Sequence, residues 1–191
     1  MKNTILAFSG SSRKGSWNSR LLKVVCQHAE SAGAGVTTVD LRDLRLPIYD
    51  GDIEAESGIP RQAIEFRKLI HGHRSTLIAC PEYNGSVSPL LKNTLDWCSR
   101  PVDGQDGLAP FRGKHIAVVS ASLGPFGGLR ALGHLRGILS KMGAIVLADE
   151  LSIPSAHQAF SDSGALVHEG MGGLAAQVGV GLARFAIEHR T

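Results

Sequence analysis

Gly10-Ser11-Ser12-Arg13-Lys14-Gly15-Ser16-Trp17-Asn18 follows an apolar run, Thr4-Ile5-Leu6-Ala7-Phe8, that reads as a strand. It precedes apolar residues at helical spacing, Leu21, Leu22, Val25, Cys26 and Ala29. A loop between a strand end and a helix start carries free backbone N–H groups and lies at the positive end of the helix dipole. Such a place favours an anion, most often a phosphate. Small residues let the backbone close around the anion, serine hydroxyls add donors, and Arg13 supplies a planar cationic fork.

Two familiar phosphate loops fail on named residues. A nucleoside-triphosphate loop needs Lys-Ser or Lys-Thr after its second glycine; Gly10 and Gly15 have the spacing, but Ser16-Trp17 follows. A dinucleotide fingerprint needs glycine where Ser12 stands, and the Ser12 hydroxymethyl blocks the close approach of a pyrophosphate. What remains suits a single terminal phosphate, as in flavin mononucleotide (FMN). The same residues also suit a plain turn capping the helix through Ser16 or Asn18.

Outward from this loop the chain alternates strand and helix patterns. Val36-Thr37-Thr38-Val39-Asp40-Leu41 is a β-branched strand after a Gly33-Ala34-Gly35 turn. Asp40 holds the place of a ribose-binding acid in dinucleotide folds; without the glycine fingerprint it reads as a loop residue. A polar connection from Leu46 to Pro60 is long enough to cover a site or a partner surface. A helix runs from about Arg61 to His71, and Ser75-Thr76-Leu77-Ile78-Ala79-Cys80 is a strand buried on both faces. The loop 81–89 leads into a helix with Leu90, Leu91, Leu95 and Trp97. His115-Ile116-Ala117-Val118-Val119-Ser120 is a fourth strand, and the glycine-bearing loop 121–128 opens a helix from Leu129 to Met142. A short strand follows at 144–148. The segment from Gly170 to Arg190 has helical spacing but carries five glycines, each worth ~1 kcal/mol against a helix relative to alanine.

This alternation implies an open parallel sheet with helices on both faces, in a single domain over residues 1–191. Such sheets bind ligands at the carboxyl ends of their strands where the strand order reverses, so the three loops should meet on one edge. A formal charge of +3 with no Lys/Arg run argues against nucleic acid. The three cysteines lack metal-ligand spacing and a disulfide framework, which suits a reducing compartment. The eight histidines are dispersed, and no metal site is expected. No leader is evident and no window approaches a membrane span, so the expected location is cytoplasmic, without a membrane partner.

Three segments resemble the NADPH-dependent FMN reductases of flavodoxin-like fold, the group with chromate-, quinone- and azo-reducing flavoproteins. Residues 10–18 match its G-S-x-R-x-x-S-x-N phosphate loop. Pro81-Glu82-Tyr83-Asn84-Gly85-Ser86, continuing to Leu91-Lys92-Asn93-Thr94-Leu95-Asp96-Trp97, matches P-E-Y-N…L-K-N-x-x-D-W, the most specific of the three. Ser120-Ala121-Ser122-Leu123-Gly124 through Gly127-Gly128-Leu129-Arg130 matches the third loop and helix start. The likeness covers the chain to about residue 155 and is weakest beyond.

The resemblance implies a flavodoxin-like doubly wound five-stranded parallel sheet. Ser11, Arg13, Ser16 and Asn18, with the backbone of Trp17, would hold the FMN phosphate. Pro81, Glu82, Tyr83, Asn84 and Gly85 would border the isoalloxazine ring and ribityl chain, and Ser120, Ser122 and Gly124 the other side. No side chain need act as acid or base, because the cofactor carries the redox chemistry. Electrons would pass from NADPH or NADH to a small-molecule acceptor: quinone, flavin, azo compound or metal oxyanion. The alternatives are a flavin-binding electron carrier or sensor without its own substrate, and a phosphate-binding protein that takes no flavin. Glu82 and Tyr83 also suit ordering their own loop. Lys92, Asn93 and Asp96 read as structural or interfacial, and Trp97 as packing whose indole N–H wants a partner. Family members are commonly dimers or tetramers, which implies a homo-oligomer in which Arg130 and Glu150 form a charged network between subunits or remain surface ion pairs. Pro125, where a flexible residue is expected, and the glycine-rich last helix depart from the family pattern.

Overall fold

A computed structural model describes residues 5–188. Thr4, expected to open the first strand, and residues 189–190, expected to close the last helix, lie outside the described residues. Five strands, β1 (Ile5–Ser9), β2 (Val36–Asp40), β3 (Ser75–Ala79), β4 (His115–Ala121) and β5 (Ile145–Ile153), form one sheet in the order β2-β1-β3-β4-β5. All neighbouring pairs are parallel. This is the flavodoxin-like doubly wound order, and the strand order reverses between β1 and β3. The helices are α1 (Trp17–Ser31), α2 (Gly51–Ser57), α3 (Arg61–Gly72), α4 (Pro89–Cys98), α5 (Leu129–Lys141), α6 (Ala156–Ala159) and α7 (Glu169–Glu188).

The two-residue period of the strands divides the core. Ile5, Ala7, Leu77, Ala79, Ala117 and Val119 pack against α1 and α7 on one face. Leu6, Phe8, Ile78, Cys80, Ile116 and Val118 pack against α3, α4 and α5 on the other. Both faces are therefore covered, which is why the strands read as apolar runs rather than alternating ones. The three cysteines are buried and unpaired within these layers.

The connection 46–60 contains a helix where a polar loop was expected. Asp50 caps α2 by accepting from the Asp52 N–H at 2.8 Å, and Gly58 ends it with a φ of +72°. Asn93 and Trp97 of the specific signature hold this segment. Asn93 accepts from the Tyr49 N–H at 2.7 Å and donates to the Pro47 carbonyl at 2.8 Å. The buried Trp97 indole N–H donates to the same carbonyl at 2.8 Å.

Strand β5 runs on to Ile153 rather than stopping at Ala148. Its register pairs Ile116 with Val146 but Val118 with Glu150, so β5 carries a bulge. Arg136 donates to the Leu147 and Ala148 carbonyls at 2.6 and 3.2 Å and pairs with Glu150 at 2.5 Å. Asp149-Glu150 interrupts the apolar run in sequence, and that guanidinium is what makes the interruption compatible with a strand.

Helix α7 forms despite its glycines because it packs on α1 through Ala175, Val178, Leu182, Ala183 and Ala186. By length and composition it also meets the description of a membrane span, contrary to the expectation that no window does. Here its apolar stripe is covered by α1 and the sheet. A Cβ at Gly179 would sit 2.6 Å from the Val25 carbonyl oxygen and 2.8 Å from His28 Cβ, so this glycine sets the helix separation. Gly173 meets nothing within 4 Å. Gly179→Val should therefore destabilise the fold by about 2 kcal/mol through overpacking. Gly173→Ala should stabilise it by up to about 1 kcal/mol through helix propensity. Urea denaturation of the two variants measures both.

At the opposite edge of the sheet from the loops, Lys114 is 9% exposed and donates to the carbonyls of His71, at 3.4 Å, and His73. Burial pulls its ammonium down from 10.5 to about 8. Above pH 8 the folded chain sheds this proton while the unfolded chain keeps it to about 10.5. Stability from this group therefore rises with pH in that window. From pH 7 to 9 the unfolding free energy of the wild type should gain about 1 kcal/mol relative to Lys114→Met. Comparing the urea midpoints of the two proteins cancels the ionisation of unfolded thiols, which sets in within the same window and is common to both.

Candidate functional site

The loops after β1, β3 and β4 meet at the carboxyl edge of the sheet, around the β1/β3 reversal. They enclose a cavity of about 210 Å³ lined by Ser11, Arg13, Ser16, Trp17 and Asn18, by Pro81, Glu82 and Tyr83, and by Ala121, Ser122 and Leu123. Nine of the thirteen expected site residues are thus brought together; Asn84, Gly85, Ser120 and Gly124 are not among the lining residues.

The first loop is built as an anion cradle. Ser16 is the N-cap of α1, its Oγ accepting from the Ser19 N–H at 3.4 Å. The N–H groups of Trp17 and Asn18 open the helix without an intrahelical acceptor. Ser11 and Ser16 are buried, and the Ser11 Oγ accepts from the Arg13 N–H at 3.4 Å. The exposed Arg13 guanidinium has no ion pair or hydrogen bond among the described residues. The buried Asn18 amide is turned to the third loop, donating to the Ala121 carbonyl at 2.8 Å and accepting from its N–H at 3.0 Å. Its amide thereby sets the distance between the first and third loops. The Trp17 indole stacks on Phe160, with centroids 5.8 Å apart and Arg20 over its ring at 4.6 Å.

In the second loop, Tyr83 and Ser86 exchange backbone hydrogen bonds at 3.0 and 3.1 Å, with Asn84 and Gly85 at φ of +51° and +78° between them. This tight reverse turn projects beyond the cavity, so Asn84 and Gly85 form its tip. Glu82 is the clamp. Its carboxylate accepts from the N–H groups of Arg130 at 3.1 Å and Ala131 at 3.3 Å, capping α5, and pairs with the Arg130 guanidinium at 2.5 Å. Burial raises the cost of its charge, but Arg130 and the α5 N–H groups outweigh that and hold the carboxyl below its usual range. Within one copy Arg130 serves Glu82, and Glu150 serves Arg136.

In the third loop, the Ser122 Oγ lines the cavity and accepts from the Gly124 N–H at 3.2 Å. Ser120 lies behind it, fully buried and donating to the Cys80 carbonyl at 2.6 Å. Gly128 presses on that hydroxyl so closely that a Cβ would lie 1.9 Å away. The Gly124 carbonyl accepts from Gly127 and Ser155, which folds the loop back on itself. Burial pushes the Cys80 thiol, at the base of the site, up to about 12, so it stays protonated and is no nucleophile.

Three contributors, Ser88, Ala121 and Leu123, were not legible as site residues. Ser88 caps α4, and its Oγ donates to the Gly10 carbonyl at 2.6 Å, tying the second loop to the first. The Ser-Pro pair at a helix start was its sequence signal. Ala121 acts through its backbone alone, which no side-chain motif reports.

The cavity lies at the carboxyl edge of the sheet, beside the strand-order reversal where open parallel sheets bind ligands. The chain is 38% identical over 167 residues to an NAD(P)H-dependent FMN reductase of Pseudomonas aeruginosa, covering 86% of this chain and 85% of the relative. It is 33% identical to a quinone reductase of Escherichia coli K12, over 76% of this chain and 74% of that protein. Among solved structures it is similar to FerB, a flavoenzyme NAD(P)H:(acceptor) oxidoreductase from Paracoccus denitrificans, with a TM-score of 0.81, 27% identity and 98% of each chain covered. Residues 3–158 match the sequence profile of the NADPH-dependent FMN reductases, all three site loops included, and the chain belongs to that family.

Proposed function

We propose that the chain binds FMN in this cavity and works, as one unit over residues 1–191, as an NAD(P)H-dependent oxidoreductase. The observation that carries the reading is the convergence of buried Ser11 and Ser16, the unpaired Arg13 and the open N-terminus of α1 on one cavity between three strand-end loops. These donors fit a dianionic terminal phosphate. Glu82 does not repel it, because its charge is answered by Arg130 and α5.

When bound, FMN supplies the two-electron redox chemistry between nicotinamide and acceptor. The residues of the chain bind and orient. Ser11, Arg13, Ser16 and the α1 N–H groups grip the phosphate; Pro81, Tyr83 and the backbone of the second loop border the ring; Ser122 and Leu123 border its other side. Asn84 and Gly85 place that loop, and Ser120 and Gly124 support the third from behind. A cavity of 210 Å³ lies below the ~300–1,000 Å³ of an enclosing ligand site, which suits a ring laid with one face open. Tyr83, Leu123 and Phe126, 44%, 55% and 60% exposed, give that open face an apolar rim. This rim favours flat acceptors such as quinones, free flavin or azo compounds over metal oxyanions.

The test has two readouts. Protein incubated with FMN and desalted should keep the flavin absorption bands, and it should oxidise NADPH with a quinone at ~1 per second or faster. Retained flavin with far slower turnover marks an electron carrier or sensor; a colourless protein overturns the flavin reading.

A homodimer or homotetramer also belongs to this reading. An open groove between α4 and α5, with Val87, Pro89 and Ile138 in its wall, offers a mainly apolar surface for a second copy. Light scattering of the eluting protein measures the assembly. The three free, buried thiols suit a reducing compartment, the cytoplasm.

A further inference from the structure

A second cavity, of about 420 Å³, lies on the other side of the first loop, between the carboxyl ends of β1 and β2. It shares Ser11 and Arg13 with the flavin cavity, so the two are separated only by the phosphate loop. Its volume falls within the ~300–1,000 Å³ of small-molecule sites. Leu22 and Val39 supply apolar wall, Asp40 stands at the end of β2, and Arg42 lies beside it.

Asp40 is not the plain loop residue its sequence suggested. It ends β2 and caps the following 3-10 turn (Leu41–Leu44), accepting from the Arg42 N–H at 3.0 Å. Its two oxygens also accept from Arg42 Nε at 3.0 Å each, and Arg42 Nη2 pairs with one of them. The Arg42 guanidinium holds the carboxyl below its usual range, so it is an anion at neutral pH. A carboxylate has about four acceptor positions; three Arg42 donors take most of them, and the Asp40 side chain, still 38% exposed, has room for one further hydroxyl. At the end of the second strand of a doubly wound sheet, a carboxylate is placed to accept from a ribose diol. Arg13, without an intramolecular partner, lines this cavity as well as the flavin cavity, so its side chain, rather than the loop backbone that Ser12 guards, is what a phosphate here would meet.

We propose that this cavity binds an adenosine 5′-phosphate group, with one ribose hydroxyl on Asp40, the phosphate toward Arg13 and the base against Leu22 and Val39. Arg42 positions the Asp40 carboxylate. The proposal goes beyond the flavin site but shares Arg13 with it, so in FMN-loaded protein that guanidinium would lie between two phosphates. Two sources carry the group: the adenosine half of a reduced nicotinamide dinucleotide reaching across from the open ring face, and that of FAD bound in place of FMN.

The experiment titrates ADP-ribose by calorimetry into apoprotein and FMN-saturated protein, and measures FAD and FMN affinities beside it. Asp40→Asn preserves the turn cap, since asparagine caps as well as aspartate. ADP-ribose should bind the wild type, and Asp40→Asn should weaken it about tenfold or more, as expected for hydrogen bonds to a charged acceptor. FMN affinity should stay within about twofold, because Asp40 is absent from the flavin cavity. Binding that persists in FMN-saturated protein assigns the nicotinamide source. Binding lost on FMN saturation, with FAD held about tenfold more tightly than FMN, assigns FAD. Absence of ADP-ribose binding in both forms overturns the proposal. So does binding indifferent to Asp40→Asn, or binding displaced by FMN with no preference for FAD. Protein that binds ADP-ribose but no FMN leaves this site standing and removes the flavin reading instead.

Discussion

Replacing Arg67 with methionine lowers the unfolding free energy by about 3–5 kcal/mol. This residue of α3 is 4% exposed, and its guanidinium pairs with no carboxylate among the described residues. It donates instead to four carbonyls: Cys98 at 3.0 Å, Arg100 at 3.2 Å, Gly107 at 2.6 Å and Asp106 at 2.7 Å. The fork thereby ties the end of α4 to the connection that leads toward β4, and it supplies donors where that irregular backbone has no ladder partner. Methionine fills comparable volume but donates nothing. The carbonyls of Cys98 and Gly107, bonded in buried surroundings, would each lose their partner at about 1–3 kcal/mol. Those of Arg100 and Asp106 can turn to water. A thermal midpoint lower by about 10 °C is the corresponding signal for a chain of this size. Lysine should not restore it, since one ammonium cannot span the directions that a planar guanidinium covers. A loss under about 1 kcal/mol in urea would show that the connection satisfies itself without the fork.

Arg13→Ala should weaken FMN by about tenfold to a hundredfold while leaving the urea midpoint unchanged. A hydrogen bond to a charged partner contributes about 1.5–3 kcal/mol, and this guanidinium makes no intramolecular bond whose loss would reach the fold. Arg13→Lys should recover only part of the affinity, because an ammonium keeps the charge but not the bidentate geometry. Flavin fluorescence titration reads the affinity. Equal affinity in variant and parent would move the phosphate away from this loop. The electrostatic share of the binding should also shrink as ionic strength rises, since Arg13 is exposed.

Other parts of the site divide between holding ligand and holding one another. Glu82 looked in sequence like a ring neighbour, with loop ordering as its alternative. In the fold its carboxylate is engaged by α5 and Arg130, so it joins the second loop to the third. Asn18, within the phosphate-loop motif, similarly binds the first loop to the third through Ala121. Motif residues can thus hold the loops together while lining the cavity those loops enclose.

The local pattern of residues determined the strand and helix alternation, the parallel sheet, the three strand-end loops and the Ser16 cap. Each of these follows from apolar period, turn chemistry or capping within a short window. Only the tertiary structure decided what lay beyond that range. Helix α7 forms because Gly179 lets it approach α1, and β5 passes Asp149-Glu150 because Arg136 answers the bulge. The charge of Glu82 is satisfied by a helix 48 residues away, and Arg67 by carbonyls 31 to 40 residues on. The physical reason is common to all of them. Propensity and periodicity act on near neighbours, whereas the partner of a buried charge, a bulged carbonyl or a close-packed glycine is chosen by how distant segments come together.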